Sequence, residues 1–96
     1  MGENEIVFHP IAQEDLKDLY DFFSRSSLQY ADSFIEGLYD RIDNLRRFPQ
    51  LGKIYPEKKK YRQIIYQNYR ILYQFNEKEE KIIIMMVVHC SRNLRF

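Results

Sequence analysis

Glycine and proline are scarce, at three residues each in a chain of 96. That composition excludes a collagen-like tract, a flexible linker and low-complexity sequence. No internal repeat is visible. Cys90 is the single cysteine. It excludes a disulfide within the chain and a cysteine zinc cluster, and it fits a reducing compartment. The longest apolar run, Ile82 to Val88, is seven residues. A membrane helix needs about 20, so no span is predicted. The acidic start, Met1 to Glu5, has no apolar stretch behind it and does not read as a signal peptide. The expectation is a soluble, cytoplasmic protein. There is no G-x-x-x-x-G-K loop for phosphate, and no motif joins His9, His89 and Cys90 into a metal site. No metal, cofactor or small-molecule substrate is predicted. His89 and Cys90 are strand neighbours pointing to opposite faces, which argues against a thiol–imidazole pair.

Aromatic residues are abundant: eight Tyr and seven Phe, with no Trp. They supply the dense core that a chain this short requires, and the length accommodates one domain, residues 1–96. Charge is segregated beneath a net of +1. Residues 1–40 carry nine acids and two bases, whereas residues 41–62 carry eight bases and two acids. A segregated basic region suits an anionic partner, nucleic acid or an acidic protein surface. The plainer alternative is a solvated face.

Glu5 to His9 reads as a first strand, ended by His9-Pro10. Leu16, Leu19, Tyr20 and Phe23 recur at helical spacing and predict a helix over Ile11 to Ser24. Ser26 with Gln29 has the capping-box form, so a second helix is expected from there to about Arg47, before Pro49. Its stripe is Ala31, Phe34, Ile35, Leu38, Ile42 and Leu45. The short link implies an antiparallel helix hairpin. Residues 48–60 form a long connection whose exposed end carries Lys58, Lys59 and Lys60. Three strands follow. In Tyr61 to Tyr66, Arg62, Ile64 and Tyr66 share a side. Asn68 is expected to serve the tight turn into the next strand. From Tyr69 to Phe75, the aromatic row Tyr69, Ile71, Tyr73 and Phe75 faces the helices, and Arg70 faces away. The last run, Ile82 to His89, alternates Ile82, Ile84, Met86 and Val88 with Ile83, Met85 and Val87. It is apolar on both sides, so its outer side is either covered by the loop and tail or kept for a partner. The fold class is α+β, in the order β-α-α-β-β-β, with the helix hairpin on one face of a small antiparallel sheet.

The last strand ends in His89 and Arg92, with Arg62 and Arg70 on neighbouring strands. Together they are candidates for a cationic cluster holding a phosphate or carboxylate. In a nuclease, Arg70 and Arg92 would stabilise the phosphate while His89 moved protons. In the alternative, Arg92 pairs with carboxylates of the acidic helices and His89 bonds locally.

Four segments, in this order and spacing, carry a resemblance. They are Arg47-Phe48-Pro49-Gln50-Leu51-Gly52-Lys53, Tyr61-Arg62-Gln63-Ile64-Ile65, Asn68-Tyr69-Arg70-Ile71-Leu72-Tyr73 and Val87-Val88-His89-Cys90-Ser91-Arg92-Asn93-Leu94. The chain resembles the ParE/RelE superfamily of toxins from type II toxin–antitoxin modules over almost its whole length. It is closer to the ParE-like branch through the Phe-Pro-x-Leu-Gly link and the His-x-x-Arg-x-Leu ending. That resemblance implies a plasmid-stabilisation type of toxin that inhibits growth by binding DNA gyrase. The RelE-like branch would imply instead a metal-independent, ribosome-dependent endonuclease acting on mRNA. A homologue that only binds its partner is a third reading. On the RelE-like side, the acid–base group expected after Arg92 is lacking, with His89 the remaining proton carrier. The resemblance also implies a cognate antitoxin as inhibitor. For it, the row Ile83, Met85 and Val87 is the candidate contact, while Arg62, Lys58, Lys59 and Lys60 are candidates for the target or its phosphates. A homo-oligomer stays open.

Overall fold

The computed structural model describes residues 3–92. Strand β1 (Glu5–Phe8) leads into α1 (Pro10–Ser24) and α2 (Leu28–Asp43). A 3-10 turn (Asn44–Arg46) follows, then β2 (Lys53–Ile54), β3 (Arg62–Tyr66), β4 (Tyr69–Asn76) and β5 (Lys81–His89). The sheet order is β1-β5-β4-β3-β2. All neighbours are antiparallel except β1, which runs parallel to β5. A two-residue β2 had no sequence signal of its own.

Helix starts are set by single side chains. The His9 ring accepts the Ile11 N–H at 3.1 Å, and Pro10 occupies the first helical position, where no N–H is missed. The second helix is capped by Ser27, not Ser26: its Oγ accepts the Tyr30 N–H at 3.1 Å. Both serines fit the cap chemistry, but Ser26 still belongs to the turn that closes α1, its N–H donating to the Phe23 carbonyl at 3.1 Å. The second helix also ends earlier than expected, at Asp43, and tightens into the 3-10 turn before Pro49.

The helices pack on one sheet face. Phe34, Leu38, Ile42 and Leu45 meet Ile64, Ile71, Tyr73, Ile82 and Ile84, all buried. A Cβ at Gly37 would overlap the Tyr66 hydroxyl, so the glycine lets that ring lie against α2. In the β3–β4 turn, Gln67 rather than Asn68 takes the positive φ, 53°.

Strand β5 departs from the simple alternation. Leu72 pairs with Met86 but Tyr73 pairs with Ile84, leaving Met85 as an extra residue in a β-bulge. The bulge reverses which residues face the helices. Ile82 and Ile84 face them before it, and Val87 faces them after it. Val87 is therefore in the main core at 3 % exposure and not in a row with Ile83 and Met85. The outer face is partly covered: Tyr55 and Tyr61 from the connection pack over Leu72, with Met85 and Met86 alongside.

Candidate functional site

The four proposed cations do not converge. Arg70 stands across from Ile65 and Val88 on the face away from the helices. It is half-buried. Its Nη2 donates to the Cys90 carbonyl at 2.8 Å, while its Nε is buried with no partner among the described residues. No carboxylate pairs with it among the described residues. Tyr55 lies near: burial raises its pKa, the Glu57 carboxylate and the Tyr55–Glu57 hydrogen bond reinforce this, and the Arg70 charge opposes it.

Arg62 is opposite Tyr73 and so lies on the helix side. Its Nη1 donates to the Gly52 carbonyl at 2.8 Å. This cation ties the connection to the sheet edge. Arg62, Ile64 and Tyr66 alternate as expected, and this sets Arg62 on the face opposite Arg70, so the two do not form a cluster.

His89 lies opposite Tyr69, one position along from the Arg70–Val88 pair. Arg70 and His89 therefore project to opposite faces. The His89 ring meets Tyr69 edge-on at 5.2 Å. Its Nδ1 accepts the Ser91 N–H at 3.1 Å and is 2.7 Å from Ser91 Oγ. A neutral ring with Nδ1 accepting carries its proton on Nε2. The local hydrogen bonding anticipated for His89 is what the structure has.

Arg92 shares a groove of about 590 Å³ with His89 and with Asp15, Asp18 and Asp21 of α1. Burial raises the Asp15 pKa. The hydrogen bond from Val87 opposes that shift, Asp18 adds to it, and the Arg92 charge works against it. Arg25 lines the groove as well, so three carboxylates face two guanidinium groups, and the mixed charge suits a mixed-charge ligand better than a phosphate.

Lys58, Lys59 and Lys60 are exposed on the connection, as expected. The Lys60 ammonium sits 5.3 Å from the Tyr61 ring centre. Lys59, Lys60 and Arg62 border a depression of about 320 Å³. Ile83 and Met85 are half-buried on the outer sheet face. Among the described residues, no group of three or more His, Cys, Asp or Glu could hold a metal ion. No helix among them is long and apolar enough to cross a membrane. Asn93 and Leu94 of the fourth motif lie outside the described residues.

Sequence reasoning missed the anchoring of residues 49–52. The Tyr73 hydroxyl donates to the Pro49 carbonyl at 2.7 Å and accepts the Gly52 N–H at 2.9 Å. A tyrosine at a fully buried position was the available signal, because a buried hydroxyl requires partners.

The family model described as "ParE toxin of type II toxin-antitoxin system, parDE" matches residues 6–94. No curated protein matches the chain in sequence. Solved structures share its fold. One is the chromosomal ParDE toxin–antitoxin system from P. aeruginosa, at 14% identity and TM-score 0.79, covering 93% of this chain and 98% of that one. Another is the RelBE2 toxin–antitoxin complex from Mycobacterium tuberculosis, at 21% identity and TM-score 0.65, covering 91% and 98%. A third is the isolated E. coli RelE toxin, at 15% identity and TM-score 0.67, covering 94% and 87%.

Proposed function

Because this chain belongs to the ParE toxin family of type II toxin–antitoxin systems, we propose that it arrests growth by binding DNA gyrase in the cytoplasm and is held inactive by a cognate antitoxin. The observation that carries a binding rather than a cutting mechanism is the separation of Arg70 from His89 across the sheet. Metal-independent phosphodiester cleavage needs a phosphate-stabilising cation and a proton carrier at one phosphorus. With Arg70 outward, Arg62 bonded to Gly52 and Arg92 facing aspartates, that constellation is dispersed. The antitoxin contact is assigned to Ile83 and Met85 on the outer face, where partly covered apolar side chains suit a segment that folds on binding. Solved relatives include toxin–antitoxin complexes, which supports an antitoxin partner.

The test is expression without antitoxin, followed by supercoiling by purified gyrase with added toxin. Growth arrest with inhibited supercoiling is the expected result. Arrest with normal supercoiling would reject gyrase as target. A second reading, ribosome-dependent mRNA cleavage, draws on the unpartnered Nε of Arg70. Primer extension on translated message would then show A-site cuts that Arg70→Ala abolishes. Normal growth would leave the third reading, a partner-binding homologue without toxicity.

A further inference from the structure

The connection between the 3-10 turn and β2 combines a fixed backbone with unused apolar side chains. Tyr73 holds its backbone at Pro49 and Gly52, and Arg62 holds the Gly52 carbonyl. Yet Phe48 is 62% exposed, and Leu51 and Ile54 are each 50% exposed. A segment anchored through its backbone has no folding reason to leave three large apolar side chains in water.

These side chains border two adjoining hollows. One, of about 580 Å³, is lined by Phe48, Pro49, Leu51 and Phe75. The other, of about 320 Å³, adds Ile54 to the cations Lys59, Lys60 and Arg62. Gln50, Phe75 and Glu77 belong to both, so the hollows form one continuous surface. Among the described residues, Lys59 and Lys60 have no carboxylate partner. The surface therefore offers apolar anchoring at one end and unneutralised positive charge at the other. Its backbone is pre-organised, so little ordering is required on binding.

We propose that this surface docks an acidic, amphipathic segment of a partner protein, with apolar side chains entering beside Phe48 and Leu51 and carboxylates meeting Lys59 and Lys60. This rests on the reading of the chain as a toxin that acts by binding. Protein is favoured over nucleic acid by the lining. Phe48 and Phe75 could each stack on a base, but Leu51, Ile54 and Pro49 match aliphatic side chains, and a continuous phosphate backbone laid along both hollows would pass over Glu77. A peptide can place a hydrogen-bond donor there.

The experiment measures binding of fluorescent probes to the full chain. The probes are a short synthetic Glu/Leu peptide, its Lys/Leu counterpart and oligothymidylate. The Glu/Leu peptide is expected to bind and the Lys/Leu peptide not to. Both Phe48→Ser/Leu51→Ser and Lys59→Glu/Lys60→Glu should weaken Glu/Leu binding at least about tenfold, with thermal melting confirming the fold. The exposed lysine pair gives a variant with no core to disturb. Absence of Glu/Leu binding, or binding indifferent to the Phe48/Leu51 change, overturns the proposal. Oligothymidylate binding tighter than peptide binding, and sensitive only to the lysine change, overturns it in favour of nucleic acid. Gyrase supercoiling measured with the same variants tests the toxin reading separately.

Discussion

Asp15 on α1 accepts a hydrogen bond from the backbone N–H of Val87 at 2.9 Å, 72 residues away in sequence. The reason lies in the sheet. Strand β1 pairs with β5 only as far as Ile84, where the His9 N–H takes the carbonyl. Beyond that point no strand lies beside the β5 edge among the described residues, and a carboxylate from the helix satisfies the Val87 donor.

This contact has a pH signature. Burial is the main reason the folded Asp15 carboxyl has a raised pKa; the Val87 bond only opposes it. Between the unfolded and folded pKa values the native state thus holds the extra proton. The stability associated with this group is present below the unfolded pKa and is lost as pH rises through the folded one. Asp15→Asn keeps an acceptor without the buried charge. Its stability relative to wild type should improve as pH rises through that window. Asp15→Ala orphans the Val87 N–H and should cost ~1–3 kcal/mol. Urea denaturation of the three proteins across a pH series checks both signs.

Tyr73→Phe should lower stability by ~1–3 kcal/mol, because the buried Gly52 N–H and the Pro49 carbonyl lose their shared partner. Hydrogen exchange at Gly52 should accelerate more than exchange in α2. Uniform acceleration would show that the hydroxyl is not the local anchor.

Gly37→Ala should cost ~1–3 kcal/mol, since the new methyl meets the Tyr66 hydroxyl. Tyr66→Phe removes the atom that would overlap most. The double variant should recover part of the loss, and a double-mutant cycle by chemical denaturation measures the coupling.

The bulge at Met85 separates the inward Val87 from Ile83 and Met85 on the outer face. Val87→Ala should lower stability by ~1–3 kcal/mol as a core truncation. Ile83→Ser and Met85→Ser should weaken antitoxin affinity by more than they lower stability. Isothermal titration beside thermal melts separates the two effects.

The helix hairpin, its apolar stripe and the alternation of β4 were legible in the sequence because each repeats a local period over many residues. Phe34, Leu38 and Tyr73 are buried as the pattern required. The phase of β5 was not legible. Seven consecutive apolar residues carry no alternation, so nothing marked the extra residue that turns Val87 inward. The candidate cationic cluster failed for a related reason. The sequence carries no register between adjacent strands, and pairing Arg70 with Val88 and Tyr69 with His89 places the Arg70 and His89 side chains back to back. The parallel pairing of β1 was equally hidden, since a four-residue strand fits either sheet edge.

That parallel strand also fixes the order of events at birth. Glu5 finds its neighbour Lys81, and Phe8 finds Ile84, only after both α-helices and three intervening strands have been made. Closing so large a loop is slow and comes late. A nascent chain leaving the ribosome can assemble its helical hairpin early, yet the sheet stays unsealed until Ile84 emerges. Translation that stops before then releases a chain without a completed sheet, lacking every surface that depends on β5.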